Sequence, residues 1–512
     1  MAVGLPSSNL LMSIAQIIIA TNWVIEGQYA NKIKRFLGNK PAIIFSTIFG
    51  LHLLGLLYTQ DWNYAAWDLR NKVPLLALPF LIGSSPNLSK DKIEKIFTVF
   101  VISVVTFSVV CAGELTYINN AIRSLLDLPE KIIMDVRSIS HFVSHIRFSL
   151  MICLAISWMM YQVFKATMVR KKQVVFMIMS AWLIVFLIIM ESVTGLAILF
   201  ILEFATLSYA VVKQKSRVAR YASLVLLIAI PSFVLVYVGN MVVDFYRVNK
   251  ESVSELPKFT SLGSLYYHDV ENEQLENGNY VWRYVCHLEI EPGWEKRSTI
   301  PFRGKDKAGQ FVEYTLFRYM TSRGLHKDAE GLAQLSEKEI SAVENGIANV
   351  RFTEVSSLTA RIYGIIWQMD DYINRAGDPG GHSLSQRWEF WKTGINVLKS
   401  NALFGVGTGD VYNEMLSQYE KEGSLLVPAY RKHPHNQYLS VAIGFGIFGL
   451  ILFLWGLIYP VYMNREQLNY VSMLFFAITL LSMMTEDTLE TQAGVSFVAF
   501  FYALLFLSPS EE

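Results

Sequence analysis

Long apolar runs alternate with short polar breaks along most of this chain. A helix that crosses a bilayer needs about 20 mainly apolar residues. Runs of that kind fall at roughly 8–25, 41–59, 73–86, 96–114, 146–164, 173–190, 194–212, 221–241, 437–460, 468–484 and 492–508. The pattern predicts an all-α polytopic membrane protein with about eleven transmembrane helices. The 73–86 run is short and contains Pro79, so it is expected to tilt or re-enter. Between 242 and 434 the pattern is that of a water-facing segment. Helices are expected there at 311–324, 335–349, 355–376 and 384–399, the last with Ser383 as a possible cap. Residues 280–290 alternate weakly and suit a strand or a helix. Gly377, Pro379, Gly380 and Gly381 mark a break, and Gly405, Gly407 and Gly409 mark another.

Charge separates the same regions. Of 512 residues, 53% are apolar and 17% charged, where a soluble domain carries about 25% charged. The 193 residues from 242 to 434 hold 48 charges, and the other 319 hold 39. One folded outer segment is therefore set inside a membrane-like chain. It divides the chain into an N-terminal membrane region 1–241 with about eight spans, the segment 242–434, and a C-terminal membrane region 435–512 with about three. Net charge is +1, which gives no basic field for nucleic acid. Of Cys111, Cys153 and Cys286, only Cys286 lies in the outer segment, so that segment is expected to hold no internal disulfide.

Lys and Arg cluster at alternate breaks, in 32–40, 90–95, 165–172 and 213–220. The breaks between them hold few such residues for their length: Arg70 and Lys72, then Arg123, Lys131, Arg137 and Arg147. Basic loops stay on the cytoplasmic side. Residues 59–72, 115–146, 242–434 and 485–491 are thereby expected on the far side, with the C-terminus in the cytoplasm and, for an odd span count, the N-terminus outside. The first 25 residues lack a basic leader, and Asn9, Gln16 and Asn22 interrupt their apolar run, so no cleavable signal is expected.

The sharpest local motif is His433-Pro434-His435-Asn436-Gln437-Tyr438, directly before an apolar run. Pro434 suits the first turn of a helix. His435 would then sit on a helix N-terminus, where free N–H groups favour an anion and a neutral imidazole. That combination suits a general base; an interfacial His with ordinary polar contacts is the other reading. Gly444-Phe445-Gly446-Ile447-Phe448-Gly449 spells GxGxxG but lacks a preceding strand, so close helix approach is the better reading. Arg147 sits at the start of a predicted span, and Arg387 lies in Ser385-Gln386-Arg387-Trp388-Glu389-Phe390-Trp391 of the outer segment. Either could snorkel or join a structural ion pair, and either could bind phosphate oxygens with its planar fork. Glu486, Asp487 and Glu490 could pair with such arginines or line a site. No His, Cys or carboxylate spacing matches a metal site.

These residues resemble the bacterial O-antigen ligase and O-antigen polymerase superfamily. Its ligase signature is a His, then Asn, Ser or Gln, nine residues, and Gly-x-x-Gly. His435-Asn436, residues 437–445, and Gly446-Ile447-Phe448-Gly449 match it. Asn22-Trp23 with Gly27, and Arg387-Trp388 followed by Phe404-Gly405-Val406-Gly407, agree further. The resemblance implies a GT-C-like membrane fold with one large, mainly helical periplasmic domain inserted before the last three helices. It implies an inner-membrane glycosyltransferase that moves a glycan from undecaprenyl pyrophosphate to a lipid A–core hydroxyl, with no cofactor or metal. His435 would be the base, Arg387 and Arg147 would hold the donor pyrophosphate, and Asn436, Gly446 and Gly449 would support the motif. The family has about twelve spans with both termini in the cytoplasm, so one N-terminal helix is missing from the count here. A polymerase of the same superfamily, with a growing glycan as acceptor, is the first alternative. A lipid-linked glycan flippase or transporter is the second; it would also use arginines, but most transporters show repeat symmetry and short outer loops.

Overall fold

The computed structural model describes residues 1–86, 88–113, 140–164, 168–213, 216–248, 253–354, 357–375, 377, 379–380 and 382–507. Of the loop cations counted above, Arg123, Lys131, Arg137, Lys165 and Lys215 lie outside these residues, as does Gly381.

Helices dominate, as the apolar pattern predicts. Six among the described residues are long and apolar enough to cross a membrane: Lys40–Tyr58, Lys90–Gly113, His145–Val163, Arg170–Ile189, Arg220–Tyr246 and Gln437–Met463. A seventh crossing would be the pair Asn9–Ile25 and Tyr29–Gly38, bent by 116°. The bend falls where Gly27 and Gln28 both adopt positive φ. Lys32, counted with the loop cations, is buried on the second arm, where its Nζ donates to the Trp23 carbonyl at 2.6 Å and pairs with Glu26 at 2.9 Å. Val193–Ser208, Tyr470–Thr485 and Gln492–Leu507 are shorter apolar helices, and the 73–86 run forms the ten-residue helix Pro74–Gly83. At 1.5 Å per residue, sixteen residues reach only about 24 Å, short of the roughly 30 Å hydrocarbon layer.

The described chain divides into two compact units, residues 1–213 with 378–512, and residues 214–377. The charge-rich segment 242–434 runs across that division. In the first unit, Lys40–Gly55 packs along Gln437–Met463, and Gln492–Tyr502 is buried for nearly its whole length. Phe45 stacks on Tyr502 with ring centres 4.1 Å apart, and the Tyr502 hydroxyl donates to the Leu457 carbonyl. This helix can be enclosed because its faces are apolar or small throughout, with Gly494 and Ser496 where neighbours approach. Ser383–Ser400 begins one residue earlier than expected; its cap position is His382, with no side-chain cap bond, and Ser383 is its first helical residue.

In the second unit, Arg217–Tyr246 packs along Ser357–Arg375. Tyr246 donates to Asp370, and Phe245 meets Tyr363 edge-on. A separate lobe closes over Trp294, Phe302, Leu316, Phe317, Tyr319, Met320 and Val343, with helices Val312–Ser322 and Glu337–Glu344. Residues 280–290 resolve into the end of a two-residue hairpin, Leu275–Glu276 against Asn279–Tyr280, and the start of helix His287–Glu295. The hairpin turn is Asn277-Gly278, both at positive φ, as a tight two-residue turn requires.

Candidate active site

His435 does not lie on a helix. The helix Gln437–Met463 is capped by Asn436, whose Oδ1 accepts the Leu439 amide at 3.1 Å. Pro434 therefore precedes the cap rather than filling the first turn. His435 has φ 49°, a left-handed backbone just before the cap. The expected anion at this helix start is present as part of the chain. The Asp487 carboxylate accepts the His435 amide at 2.9 Å, the Asn436 amide at 3.1 Å and the Ser440 hydroxyl at 2.6 Å. Burial pushes the Asp487 carboxyl up from its ordinary range, against the opposing pull of His435.

Glu486, the next residue back, is the hub. One oxygen, Oε2, lies 3.5 Å from His435 Nδ1 and accepts Nη1 of Arg147 at 3.1 Å. The other, Oε1, accepts Nη2 of Arg387. Arg147 Nη2 also donates to the Asp487 carbonyl at 3.0 Å, while its Nε is buried without a hydrogen-bond partner among the described residues. Burial would raise the Glu486 carboxyl, but the His435 contact and the two guanidinium groups override it, and the group is held at about 2. The Glu486 side chain is 2% exposed and the His435 ring 38% exposed, so the hub is enclosed and the imidazole remains reachable. Phe390 stacks on the ring with centres 5.5 Å apart. The same helix, Ser383–Ser400, thus carries Arg387 to Glu486 and Phe390 to His435, one turn apart.

The structure brings His435, Arg387 and Arg147 together around one carboxylate. Asn436 joins through its cap and through Nδ2, which donates to the Met484 carbonyl. Gly446 and Gly449 lie farther along the helix. Gly446 has φ 67° and ψ −169°, a break inside Gln437–Met463. A Cβ there would meet the Leu403 carbonyl oxygen at 2.1 Å. The freed backbone groups are satisfied by the crossing segment 402–407: Ile447 N–H donates to the Ala402 carbonyl, and the Ile443 and Gly444 carbonyls accept from Val406 and Gly407. Close approach is therefore the use of this glycine run, with an added break that an apolar pattern cannot reveal. A Cβ on Gly449 would meet Phe445 Cβ, one turn earlier, at 2.1 Å.

A second polar cluster abuts the first; the sequence marked its Glu490 and His433, but not Asp68, Lys72 or Tyr64, as candidate site residues. Lys72 pairs with Asp68 and, at 2.7 Å, with Glu490. Gln437 Nε2 donates to Glu490 at 3.1 Å, and its Oε1 accepts the Leu489 amide. His433 Nε2 lies 3.0 Å from the Tyr64 hydroxyl, and its ring stacks on Tyr412. His52, Tyr64, Asp68, Lys72, His433 and Glu490 line a cavity of about 20 Å³. Burial pushes the Asp68 carboxyl up to about 7, and burial lowers His433. Burial opposes the Lys72 charge, yet Asp68 and Glu490 raise its ammonium above the ordinary value. The available sequence signal was the Asp68/Lys72 spacing of four, which puts both side chains on one helix face. A larger cavity of about 240 Å³ lies beside Arg147, lined also by Asn9, Ser140, His141, Thr491 and Gln492.

Comparison with known proteins gives one family. Residues 347–454 match the family model described as O-Antigen ligase. The matched stretch contains Arg387, His435, Asn436, Gly446 and Gly449. No curated protein matches the chain.

Proposed function

We propose, from a multi-pass chain whose match supports the O-antigen ligase superfamily, that the protein is a ligase-type glycosyltransferase of the bacterial inner membrane. It takes a glycan from undecaprenyl pyrophosphate and joins it to a sugar hydroxyl of lipid A–core at the periplasmic face. The observation that carries this reading is the convergence of His435, Arg147 and Arg387 on Glu486.

With Nδ1 turned to Glu486, the Nε2 lone pair of His435 is the base. It takes the proton of the acceptor hydroxyl as that oxygen bonds to the anomeric carbon of the donor sugar. The bond from that carbon to the pyrophosphate oxygen breaks, and its electron pair leaves with polyprenyl pyrophosphate. Glu486 stabilises the imidazolium so formed, and removal of such a base costs about 10²–10⁴-fold in rate. Two guanidinium groups share one Glu486 carboxylate, so that trio keeps one positive charge. Arg147 and Arg387 have further N–H donors for the oxygens of the leaving group. A low-dielectric setting increases the value of that charge. The arginines meet the leaving group's charge, so the proposed step calls for no cofactor.

The test is the lipopolysaccharide profile of a deletion strain complemented with wild-type or variant chain, read beside transfer in a purified system. Loss of ligation leaves polymer on its lipid carrier. Cores capped by a single repeat would instead assign the chain to the polymerase branch. Lipid-linked glycan stranded on the cytoplasmic side would assign it to a flippase.

A further inference from the structure

We infer, on the reading of His435 as the base, that Gln437 is a positioning residue for the proposed transfer: its side-chain amide fixes the acidic loop 486–490 and thereby holds Glu486 against His435. In the signature His435-Asn436 with Gly446 and Gly449, Gln437 is only the first of nine spacer residues.

Residues 486–490 join helix Tyr470–Thr485 to helix Gln492–Tyr502. Glu486 opens the connection, with its N–H donating to the Ser482 carbonyl. Each later residue is tied in turn. Asp487 accepts the His435 and Asn436 amides and the Ser440 hydroxyl. Thr488 Oγ1 lies 3.0 Å from Ser482 Oγ. Leu489 and Glu490 both meet one side chain. Gln437 Oε1 accepts the Leu489 amide at 2.7 Å, and Gln437 Nε2 donates to Glu490 Oε1 at 3.1 Å. The other Glu490 oxygen, Oε2, accepts Lys72 Nζ at 2.7 Å. Lys72 also pairs with Asp68, which ties the loop to helix Trp62–Lys72.

The two partners call for an amide. The Leu489 N–H is buried and needs an acceptor, because a buried donor left unmade is costly. The Glu490 carboxylate accepts only, so it needs a donor. A primary amide offers both on one planar group, whereas an ionised carboxylate offers only the first and an ammonium only the second. The same partners fix which end of the amide is oxygen. Gln437 is 0% exposed, so it reaches no substrate and acts through the loop. It is also the first residue of helix Gln437–Met463, two residues after His435. One short stretch of backbone therefore carries the base and the clamp on the loop that orients the base. The contact so protected has little slack. Glu486 Oε2 stands 3.5 Å from His435 Nδ1, at the outer edge of hydrogen-bonding distance.

The experiment measures transfer by the purified full chain in lipid nanodiscs, from an undecaprenyl-pyrophosphate-linked glycan to lipid A–core. Gln437→Met keeps the volume and removes both bonds. It should lower kcat by about 10- to 100-fold, the scale of a misplacement of about 1 Å, with the donor KM little changed. Gln437→Glu combined with Glu490→Gln exchanges donor and acceptor and remakes both bonds, so transfer should return close to the wild-type rate. In a Glu486→Gln background the contact that Gln437 protects has already lost its charge. Adding Gln437→Met there should cost clearly less than it does in the wild type. Gln437→Asn, one methylene too short for both partners, carries the same comparisons where Gln437→Met does not fold. The role of Gln437 is overturned by wild-type kcat in the single variant, by a loss confined to KM, by an exchange pair as slow as the single variant, or by an undiminished loss in the Glu486→Gln background. Normal transfer by His435→Asn would overturn the base assignment as well, whereas a defect in His435→Asn with none in the Gln437 variant overturns the role of Gln437 alone.

Discussion

Glu486 presents Oε2 to Nδ1 of His435 at 3.5 Å. That geometry fits the role proposed for the imidazole, because a carboxylate on Nδ1 leaves Nε2 as the basic nitrogen. It also makes Glu486 a positioning residue for the proposed reaction. Glu486→Gln keeps the shape and loses the charge that steadies a protonated ring. Transfer should fall by about 10²-fold, mainly in kcat, and the acidic limb of the pH–rate profile should move. An unchanged rate and profile would confine Glu486 to holding the arginines.

The same carboxylate makes stability depend on acid. Its folded value is about 2 against an ordinary 4.5. A depressed carboxyl contributes stability that is complete above its unfolded value and is lost as pH falls through the folded one. The contribution is on the order of 3 kcal/mol. Unfolding of the protein in nanodiscs should show that loss between about pH 5 and pH 2, and Glu486→Gln should remove this part of the acid dependence.

His435 needs a variant that respects its backbone. Asparagine tolerates the left-handed region better than alanine does. His435→Asn should fold and bind the lipid donor, with transfer lowered by about 10²–10⁴-fold. Near-normal transfer by the purified variant would return His435 to an ordinary polar contact.

Arg387 and Arg147 should separate charge from geometry. Arg387→Ala is expected to weaken transition-state stabilisation by roughly 10- to 150-fold, as for loss of a charge-assisted bond. Arg387→Lys should lose less. Arg147 is more enclosed and holds both Glu486 and the Asp487 carbonyl, so Arg147→Ala should also lower stability. Normal donor binding and turnover in both alanine variants would make the pair structural.

Gly446→Ala should damage the fold rather than the chemistry. The added Cβ meets the Leu403 carbonyl oxygen at 2.1 Å, and the backbone is at positive φ. Strain of about 1–3 kcal/mol per misplaced residue, plus the clash, predicts a lower unfolding midpoint and less monodisperse protein in detergent. A variant as stable as wild type would mean that the break at Gly446 is not needed.

Sidedness is tested by fusions. A reporter that works only in the periplasm should be active at residue 330 and silent at residue 216. The opposite pattern would turn the protein over and remove the proposed site from its substrates.

Much of the architecture was determined by the sequence alone, because bilayer helices are written in runs of neighbouring residues. The apolar runs, the His435-Asn436 motif with Gly446 and Gly449, and the Arg387-Trp388 pair are all local signals. What joins them is not local. Glu486 stands 339 residues from Arg147 and 99 from Arg387, and nothing in its own neighbourhood distinguishes it from Asp487 or Glu490. Only packing gave the first carboxylate to the arginines and His435, the second to the helix cap, and the third to Lys72. The left-handed turn at His435 and the helix break at Gly446 were likewise hidden, since periodicity reports which faces are apolar and not where a neighbouring backbone must pass.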